Sequence, residues 1–220
     1  YFNYLSLKEI LVLLASFYPK SLNPDELLDQ VGLKDKSRQR IKELSGGQVQ
    51  RFTVAASLIN DPELVILDEP TTGLDPQARH NLWELIRDIH DRNVTVVLTT
   101  HYMEEAEALC DRLAIMDHGK MLAVDTPRNL ISQLDATYTV KLVLPEPLSD
   151  SQIGAFNGSI ASVSALQENT YILRLKNTPD ALNGALDEIV RSNLNLKHME
   201  ITPVTLEDVF LTMTGHELRD

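Results

Sequence analysis

Short apolar runs alternate with amphipathic stretches through the first 135 residues of the chain. Leu64–Leu67 and Val94–Thr99 are aliphatic or β-branched runs bounded by turn residues, whereas Gln48–Asn60 and Pro76–Arg92 place apolar residues at helical spacing. Such runs are typical of strands in a parallel sheet buried on both faces, because the crossover helices cover it. The pattern predicts an α/β fold with a parallel sheet.

Two short helices are predicted ahead of this alternation. Ser6 and Glu9 have the spacing of a capping box, and the apolar run after them predicts a helix that ends near Tyr18. A second helix is predicted to begin at Asn23-Pro24 and to stop at Gly32, because glycine readily adopts the left-handed conformation that ends helices. The sequence therefore predicts a helical segment before the α/β pattern.

The pattern changes near Asp135, and we predict a domain border between residues 136 and 137. Residues 1–136 form the α/β domain, whose last elements are a hairpin that turns at 117–120. Residues 137–220 form a small α+β module, for which a ferredoxin-like topology is one candidate. In that module the predicted strands are 138–144, Ile160–Leu166, Tyr171–Lys176 and Leu196–Ile201, and the predicted helices are Pro179–Ser192 and Leu206–Met213.

The charge balance is acidic, with 32 Asp and Glu against 20 Lys and Arg and a net charge of −12. A nucleic-acid backbone is bound by surplus Lys and Arg, so a nucleic-acid partner is not expected. The single cysteine, Cys110, excludes an internal disulfide and fits a reducing compartment. The best apolar run, Ile10–Tyr18, is far short of the roughly 20 residues that a membrane-spanning helix needs.

Sequence features typical of one enzyme class follow one another along the chain. Leu44–Gln48 stands before a helix, Leu64–Pro70 is an apolar strand that ends in two acids, Gly73–Pro76 is a tight turn, and Thr99–His101 closes the next strand. Their order and spacing resemble the signature sequence, Walker B strand, D-loop and switch histidine of ABC ATPases. The resemblance covers about residues 1–135 and implies a partial P-loop NTPase domain of the ABC type with a helical signature subdomain.

Ser45, Gly46 and Gly47 open a helix, where backbone N–H groups point outward without partners. Because glycine has no side chain, an anion can approach this backbone, and the helix dipole attracts it by about 0.3–1 kcal/mol. Alone, such a turn is more often an ordinary glycine turn; Gln48, Arg51 and the acid-tipped strand favour a functional one. The resemblance implies that Ser45, Gly46, Gly47 and Gln48 bind ATP held by a second subunit.

Asp68 and Glu69 end a strand at the edge where open α/β sheets place their ligands. A hard oxygen ligand such as Asp68 suits Mg²⁺, usually through a water molecule. Glu69 is then expected to polarise the water that attacks the γ-phosphate, a role worth about 10²–10⁴-fold in rate. His101 also ends a strand and is expected to contact the γ-phosphate or that water. The resemblance makes Asp75 the D-loop residue that communicates between two ATP sites; the alternative is a set of solvated or structural side chains.

A phosphate-binding loop of the form Gly-x-x-x-x-Gly-Lys-Ser/Thr does not occur in the sequence. Gly119-Lys120 is followed by Met121, and Gly119 has no glycine five residues before it. In ABC ATPases this loop and the Q-loop precede the helical segment, so we expect both to lie upstream of Tyr1. The chain alone is therefore expected to bind ATP very weakly and not to hydrolyse it.

Three segments resemble the exporter branch of the family, which handles drugs, antibiotics and polysaccharides: Thr100–Glu107, Leu109–Arg112 and Leu206–Leu211. The resemblance implies an ATP-hydrolysing subunit that uses ATP and Mg²⁺, pairs head to tail as a homodimer, and drives an integral membrane permease from the cytoplasmic face of the membrane. Glu104, Glu105 and Glu107 are expected to complement the dipole of the helix after His101. Asp125 departs from the family, which usually has glycine there.

Other ABC proteins remain as alternatives. A translation factor or a chromosome-organising ATPase would show a second cassette with a charged linker or long heptad repeats, and neither occurs in the sequence. A non-catalytic relic would be free to lose Glu69 and His101, yet both are present. We therefore expect the ATP-binding subunit of an exporter.

Overall fold

The structure is a computed structural model that describes residues 4–156, 158–167 and 169–214. The chain divides into two compact units, Tyr1–Leu109 (unit 1) and Cys110–Asp220 (unit 2). The predicted border after residue 136 concerns the extent of the ATPase domain rather than compactness, and it remains a prediction. Within the described residues, none of the helices has both the length and the apolar character needed to cross a membrane.

Unit 1 consists of helices and a parallel pair of strands. Its helices are α1 (Leu7–Ala15), α2 (Pro24–Gln30), α3 (Gly46–Leu58), α4 (Pro76–His90) and α5 (Met103–Leu109), with 3₁₀ turns at Lys34–Lys36 and Ile41–Glu43. Strands β1 (Leu64–Asp68) and β2 (Thr95–Thr99) pair in parallel, so that Asp68 lies opposite Thr99. Since α4 connects them, β1-α4-β2 is the crossover that a parallel pair needs. The predicted α/β pattern is confirmed.

The first two helices have the end signals that the sequence predicts. The Ser6 N–H donates to Glu9 Oε2 at 2.8 Å, which forms the expected capping box of α1. Asn23 Oδ1 accepts the Asp25 N–H at 2.9 Å at the start of α2. Gly32 follows α2 with φ of 64°, the left-handed conformation that glycine adopts without a steric cost. The helical segment is thus set by local sequence.

The sheet of unit 1 has one buried and one exposed face. Val65 and Leu67 are 3% and 7% exposed and join a core with the helices, whereas Leu64, Ile66 and Val97 on the other face are 51%, 67% and 48% exposed. The prediction of burial on both faces is therefore wrong for the described residues, because nothing among them covers the side of Ile66. The residues of this core with 0% exposure include Leu7, Leu11, Leu28, Leu33, Ala55 and Leu82.

Unit 2 begins with an antiparallel hairpin. Strands β3 (Leu113–Asp117) and β4 (Lys120–Asp125) are joined by His118 and Gly119, whose φ values are 46° and 73°. Two consecutive positive φ angles match the twist of a hairpin, so the predicted turn is confirmed. Helix α6 (Pro127–Ser132) follows, a short element that the hydrophobic pattern did not predict.

The rest of unit 2 is a βαββαβ module followed by a helix. Its elements are β5 (Ala136–Val143), α7 (Asp150–Ala155), β6 (Ile160–Gln167), β7 (Thr170–Lys176), α8 (Ala181–Arg191), β8 (His198–Pro203) and α9 (Leu206–Thr214). The sheet order is β6-β7-β5-β8 with every neighbouring pair antiparallel, which is the ferredoxin-like arrangement. The candidate topology is confirmed, although α7 was not predicted and the last strand lies two residues later than the sequence indicates.

Candidate functional site

The ends of β1 and β2 bring two acids and a threonine together. The Thr99 hydroxyl donates to Asp68 Oδ1 and also accepts the Glu69 N–H at 3.1 Å. The same N–H reaches the Thr99 carbonyl at 3.1 Å. Because β1 and β2 are parallel, Asp68 and Thr99 lie at the carboxyl edge of the sheet, where α/β folds place ligands.

Glu69 has a backbone conformation that is unusual for a side chain of its size. Its φ is 45°, in the left-handed region that costs a non-glycine residue of order 1–3 kcal/mol. The chain holds it there from both sides: Thr99 binds its N–H, and the Thr72 N–H donates to its carbonyl at 3.2 Å. The Thr72 hydroxyl also donates to Glu69 Oε2 at 3.1 Å. Strain held in this way is typical of functional positions.

His101 lies against the second acid. Its Nδ1 is 3.5 Å from Glu69 Oε1, and the two side chains keep 36% and 50% of their surface exposed. The His101 ring also contacts the Tyr102 ring, with 4.1 Å between their centroids. A reactant at the sheet edge could therefore contact both the Glu69 carboxylate and the His101 imidazole, which lie next to each other.

The glycine turn lies at the first turn of α3, with Ser45 as the N-cap. The Ser45 N–H donates to Gln48 Oε1 at 3.0 Å. Ser45 and Gly46 are exposed, and a Cβ added to Gly46 would meet nothing within 4 Å. A Cβ at Gly47 would instead lie 2.9 Å from the Ala78 Cβ, so Gly47 is needed where α3 approaches α4. The first glycine leaves the backbone open, and the second allows close helix packing.

The Asp75 turn is adjacent to this glycine turn. Asp75 is the N-cap of α4, and its Oδ1 accepts the Ala78 N–H at 2.9 Å. Ala78 is also the residue that Gly47 approaches. The glycine turn and the Asp75 turn therefore lie side by side. Pro76 at the first helical position suits the start of α4, because the missing N–H would have no partner there.

The candidate residues thus form two groups. The first is the acid–histidine group of Asp68, Glu69 and His101; the second is the turn group of Ser45, Gly46, Gly47, Gln48 and Asp75. No hydrogen bond or ion pair recorded among the described residues joins the two. Both groups are accessible to a ligand or a partner: Asp68, Glu69, Ser45, Gly46 and Asp75 are exposed, and His101, Gly47 and Gln48 are partly exposed.

The acid–histidine group can hold part of a magnesium site. Thr99 occupies Asp68 Oδ1, and Oδ2 has no hydrogen-bond partner in the described part of the chain. Within the same residues, no three His, Cys, Asp or Glu side chains form a metal-binding cluster. A Mg²⁺ ion at Asp68 would therefore take most of its oxygen ligands from phosphate groups and water, as Mg²⁺ commonly does.

Sequence reasoning missed the residues that fix the acids. Thr99 and Thr72 bind Asp68 and Glu69, yet neither carries a motif role. The register of β1 and β2 was the available signal for Thr99, because parallel pairing places it opposite Asp68. Thr72 follows Glu69 by three residues in a turn, a spacing that only the folded backbone makes meaningful.

Comparison with known proteins gives one family model, described as an AAA domain with a putative AbiEii toxin of a type IV toxin–antitoxin system, over residues 5–105. The chain is 38% identical to the Nod factor export ATP-binding protein I of Burkholderia thailandensis, over 94% of this chain and 65% of that protein. It is 41% identical to the protein of the same name from Rhizobium sp. (strain N33), over 87% of this chain and 60% of that protein. The chain thus spans less than two thirds of these relatives.

Solved structures agree with these relatives. The ATP-binding subunit of an ABC transporter is 30% identical with a TM-score of 0.52, over 60% of this chain and 57% of that one. An ATP-binding cassette of another ABC transporter, 20% identical with a TM-score of 0.50 over 56% of each chain, shares the fold. The order of motifs, the acid-tipped parallel strand and these relatives agree: the chain has the fold of an ABC-type ATP-binding domain and is similar to the ATP-binding subunits of ABC exporters.

Proposed function

We propose that this chain supplies the hydrolytic acids and the signature turn of an ATPase subunit that drives export through a membrane permease. One observation carries the proposal: the Glu69 carboxylate lies at the carboxyl end of a parallel strand, 3.5 Å from His101 Nδ1. The names of the relatives support export as the process that hydrolysis drives.

The geometry of the acid–histidine group supports one proposed role for each residue. Glu69 is half exposed and orients the attacking water, since a carboxylate at this edge can accept a proton from water as the bond to phosphorus forms. His101 donates a hydrogen bond to the γ-phosphate or to that water. Asp68, held by Thr99, binds Mg²⁺ through a water molecule. Mg²⁺–ATP supplies the bond that is cleaved and the cation that neutralises its phosphates.

The turn group acts on a second nucleotide. Ser45, Gly46, Gly47 and Gln48 form a helix N-terminus, which attracts phosphate, and the Ser45 N–H within it is bound by the Gln48 side chain. The chain contains no phosphate-binding loop sequence, so this turn would meet ATP held by the other subunit of a head-to-tail homodimer. Asp75, adjacent to the turn through Ala78, would then respond to closure of the dimer.

The permease and the membrane location belong to the same proposal. A subunit that drives a permease acts at the cytoplasmic face of the membrane as a peripheral protein. The net charge of −12 opposes a nucleic-acid partner, because phosphate backbones repel an acidic surface.

Glu69→Gln tests the hydrolytic role, in a longer version of the protein that includes a phosphate-binding loop. We expect ATP hydrolysis to fall by about 10²–10⁴-fold and an ATP-bound dimer to accumulate, because binding is kept while water activation is lost. Glu63→Gln is the matched control, since Glu63 is an exposed acid just before β1. An unaltered turnover rate in Glu69→Gln removes Glu69 from the mechanism.

The 220-residue chain itself gives a second test. Without a phosphate-binding loop it should bind ATP very weakly and release no measurable phosphate. Phosphate release and equilibrium dialysis with labelled ATP measure both properties. Robust turnover by this chain would contradict the division of labour between the two subunits.

A further inference from the structure

A carboxyl group is buried between two helices beside the candidate site. Glu105 on α5 is 0% exposed, and its Oε1 accepts the indole N–H of Trp83 on α4 at 2.9 Å. Its Oε2 has no hydrogen-bond partner among the described residues. Glu104 and Glu107 on the same helix are exposed. Glu104 and Glu105 lie in the first turn of α5, as expected of acids that complement its dipole, but Glu105 is in addition buried against α4.

A second contact joins α4 to the residue directly before α5. The Arg79 guanidinium carbon lies 4.4 Å from the centre of the Tyr102 ring, in a cation–π arrangement. Arg79 Nε is buried without a hydrogen-bond partner in the described part of the chain, so the aromatic ring is its recorded contact. Arg79 and Trp83 are four residues apart and share one face of α4. We call Arg79, Trp83, Tyr102 and Glu105 the α4–α5 clasp.

Hydrogen bonds of Tyr102, one of the clasp residues, lie at the point where α5 begins. The Thr100 hydroxyl accepts the Tyr102 N–H at 3.0 Å, and the Tyr102 carbonyl accepts the N–H groups of Glu105 and Ala106 at 3.1 and 3.2 Å. His101 comes two residues before the first residue of α5, Met103. Its ring contacts the Tyr102 ring, and its Nδ1 lies 3.5 Å from the Glu69 carboxylate. A shift of α5 relative to α4 therefore moves His101 relative to Glu69.

We propose that Trp83 and Glu105 are positioning residues for His101: their buried hydrogen bond fixes α5 on α4, so that Tyr102 holds the imidazole against Glu69. A leucine at position 105 would satisfy packing alone, whereas a buried carboxyl requires a donor in one defined place. Because Asp75 is the N-cap of α4, the clasp also connects the His101 imidazole to the Asp75 turn. The catalytic consequence rests on the proposed function; the positioning itself does not.

The first test is NMR of the 220-residue chain with labelled histidines, with the His101 signals assigned from His101→Gln. Tyr102→Leu removes the ring beside His101 and shows where its signals lie when that contact is lost. Glu105→Leu should shift the His101 ring signals toward those of Tyr102→Leu. Glu105→Gln keeps an acceptor for the Trp83 indole N–H, so its His101 signals should stay at the positions seen in the parent chain. Glu104→Leu is the matched control, because the same change at an exposed neighbour should leave them unchanged.

Trp83→Phe keeps the test decisive if Glu105→Leu does not fold. It retains an aromatic ring and removes the indole N–H donor together with the five-membered part of the indole. The His101 signals should therefore move in the same direction, while circular dichroism stays that of the parent chain. Unchanged His101 signals in folded Trp83→Phe and Glu105→Leu variants overturn the clasp.

The second test uses an ATPase in which this chain is joined to a segment that carries a phosphate-binding loop. Trp83→Phe should lower kcat by about ten- to a hundredfold with little change in KM for ATP, because a displaced imidazole affects the transition state more than nucleotide binding. Glu104→Gln should leave both constants unchanged. Shifted NMR signals with an unchanged kcat would overturn the hydrolytic role of His101 and leave its positioning by the clasp in place.

Discussion

The sheets of the two units differ in how far their burial matches what is usual for their class. The four-stranded sheet of unit 2 has 0% exposure at Val140, Leu142, Leu173 and Leu175, and its helices cover that face. The two-stranded sheet of unit 1 buries Val65 and Leu67 but exposes apolar side chains on its other face. The antiparallel sheet thus has the one-sided burial that suits its class, whereas the parallel one lacks, within the described residues, the second cover that parallel sheets usually have.

The difference teaches where chemistry and stability reside. The acid–histidine group lies on the sheet with an open face, at the ends of β1 and β2, and its side chains remain partly exposed. Unit 2 has a closed core and a topology that local hairpins and crossovers complete. We infer that unit 2 depends mainly on its own packing, while unit 1 offers an apolar face and an edge to further structure.

The largest expected effect is on the closed core of unit 2. Leu173→Ala should lower the free energy of unfolding of this unit by about 2–5 kcal/mol, because it leaves a cavity in the centre of β7. Leu166→Ala is the control on the edge strand β6, where the side chain is 49% exposed and the change should be within about 0.5 kcal/mol. Urea unfolding followed by circular dichroism measures both, and equal effects would contradict the closed core.

Two neighbouring positions on β1 test the one-sided burial of unit 1. Val65→Thr should lower the free energy of unfolding by about 1–3 kcal/mol, because it buries a hydroxyl without a partner. Ile66→Thr makes the same residue on the exposed face and should change it by less than about 0.5 kcal/mol. Both variants keep a β-branched residue, so strand propensity cancels from the comparison. Equal losses at both positions would mean that the Ile66 face is covered in solution.

Gly46 and Gly47 of the glycine turn test how closely α3 packs against α4 in unit 1. Gly47→Ala should lower the free energy of unfolding by about 1–3 kcal/mol, since the new Cβ would overlap Ala78. Gly46→Ala meets open space and should change stability by less than about 1 kcal/mol. Thermal unfolding of the two variants decides the point. A harmless Gly47→Ala would show that α3 and α4 can separate without loss.

Local signals in the sequence predict most of the elements. The capping box of α1, the cap of α2 and the hairpin turn at His118 and Gly119 depend on nearby residues, and all are present. Helices α6 and α7 have six residues each, which is too short for a hydrophobic period to develop. Their caps, Thr126 and Ser149, were the signals available.

The site is predictable to a lesser degree. Motif spacing identifies Glu69 and His101 as candidates. The bond between the Glu69 N–H and Thr99 depends on the pairing of distant strands, whereas Thr72 reaches Glu69 across a local turn in which Glu69 has a left-handed φ. The burial of Glu105 also escapes sequence reasoning, because three acids in one helix turn differ only in the direction that each side chain takes.

The smallest expected effect concerns Asp125. Unlike Asp68, this acid accepts hydrogen bonds within its own turn. The Asn129 side chain donates to Asp125 Oδ1 at 2.8 Å and the Thr126 N–H donates to it at 2.7 Å, and these bonds lower the pKa of Asp125, with Asn129 the larger cause. A lowered folded pKa adds stability above the ordinary pKa of the carboxyl and loses it as pH falls through the folded value. Asn129→Ala should therefore raise the pKa of Asp125 and reduce stability slightly near neutral pH, with no difference from the parent in acid. Carboxyl ¹³C titration measures the first effect, and Asp125→Asn, which has no charge to titrate, is the control. An unchanged Asp125 titration in Asn129→Ala would show that the Asn129 hydrogen bond does not lower the pKa of Asp125.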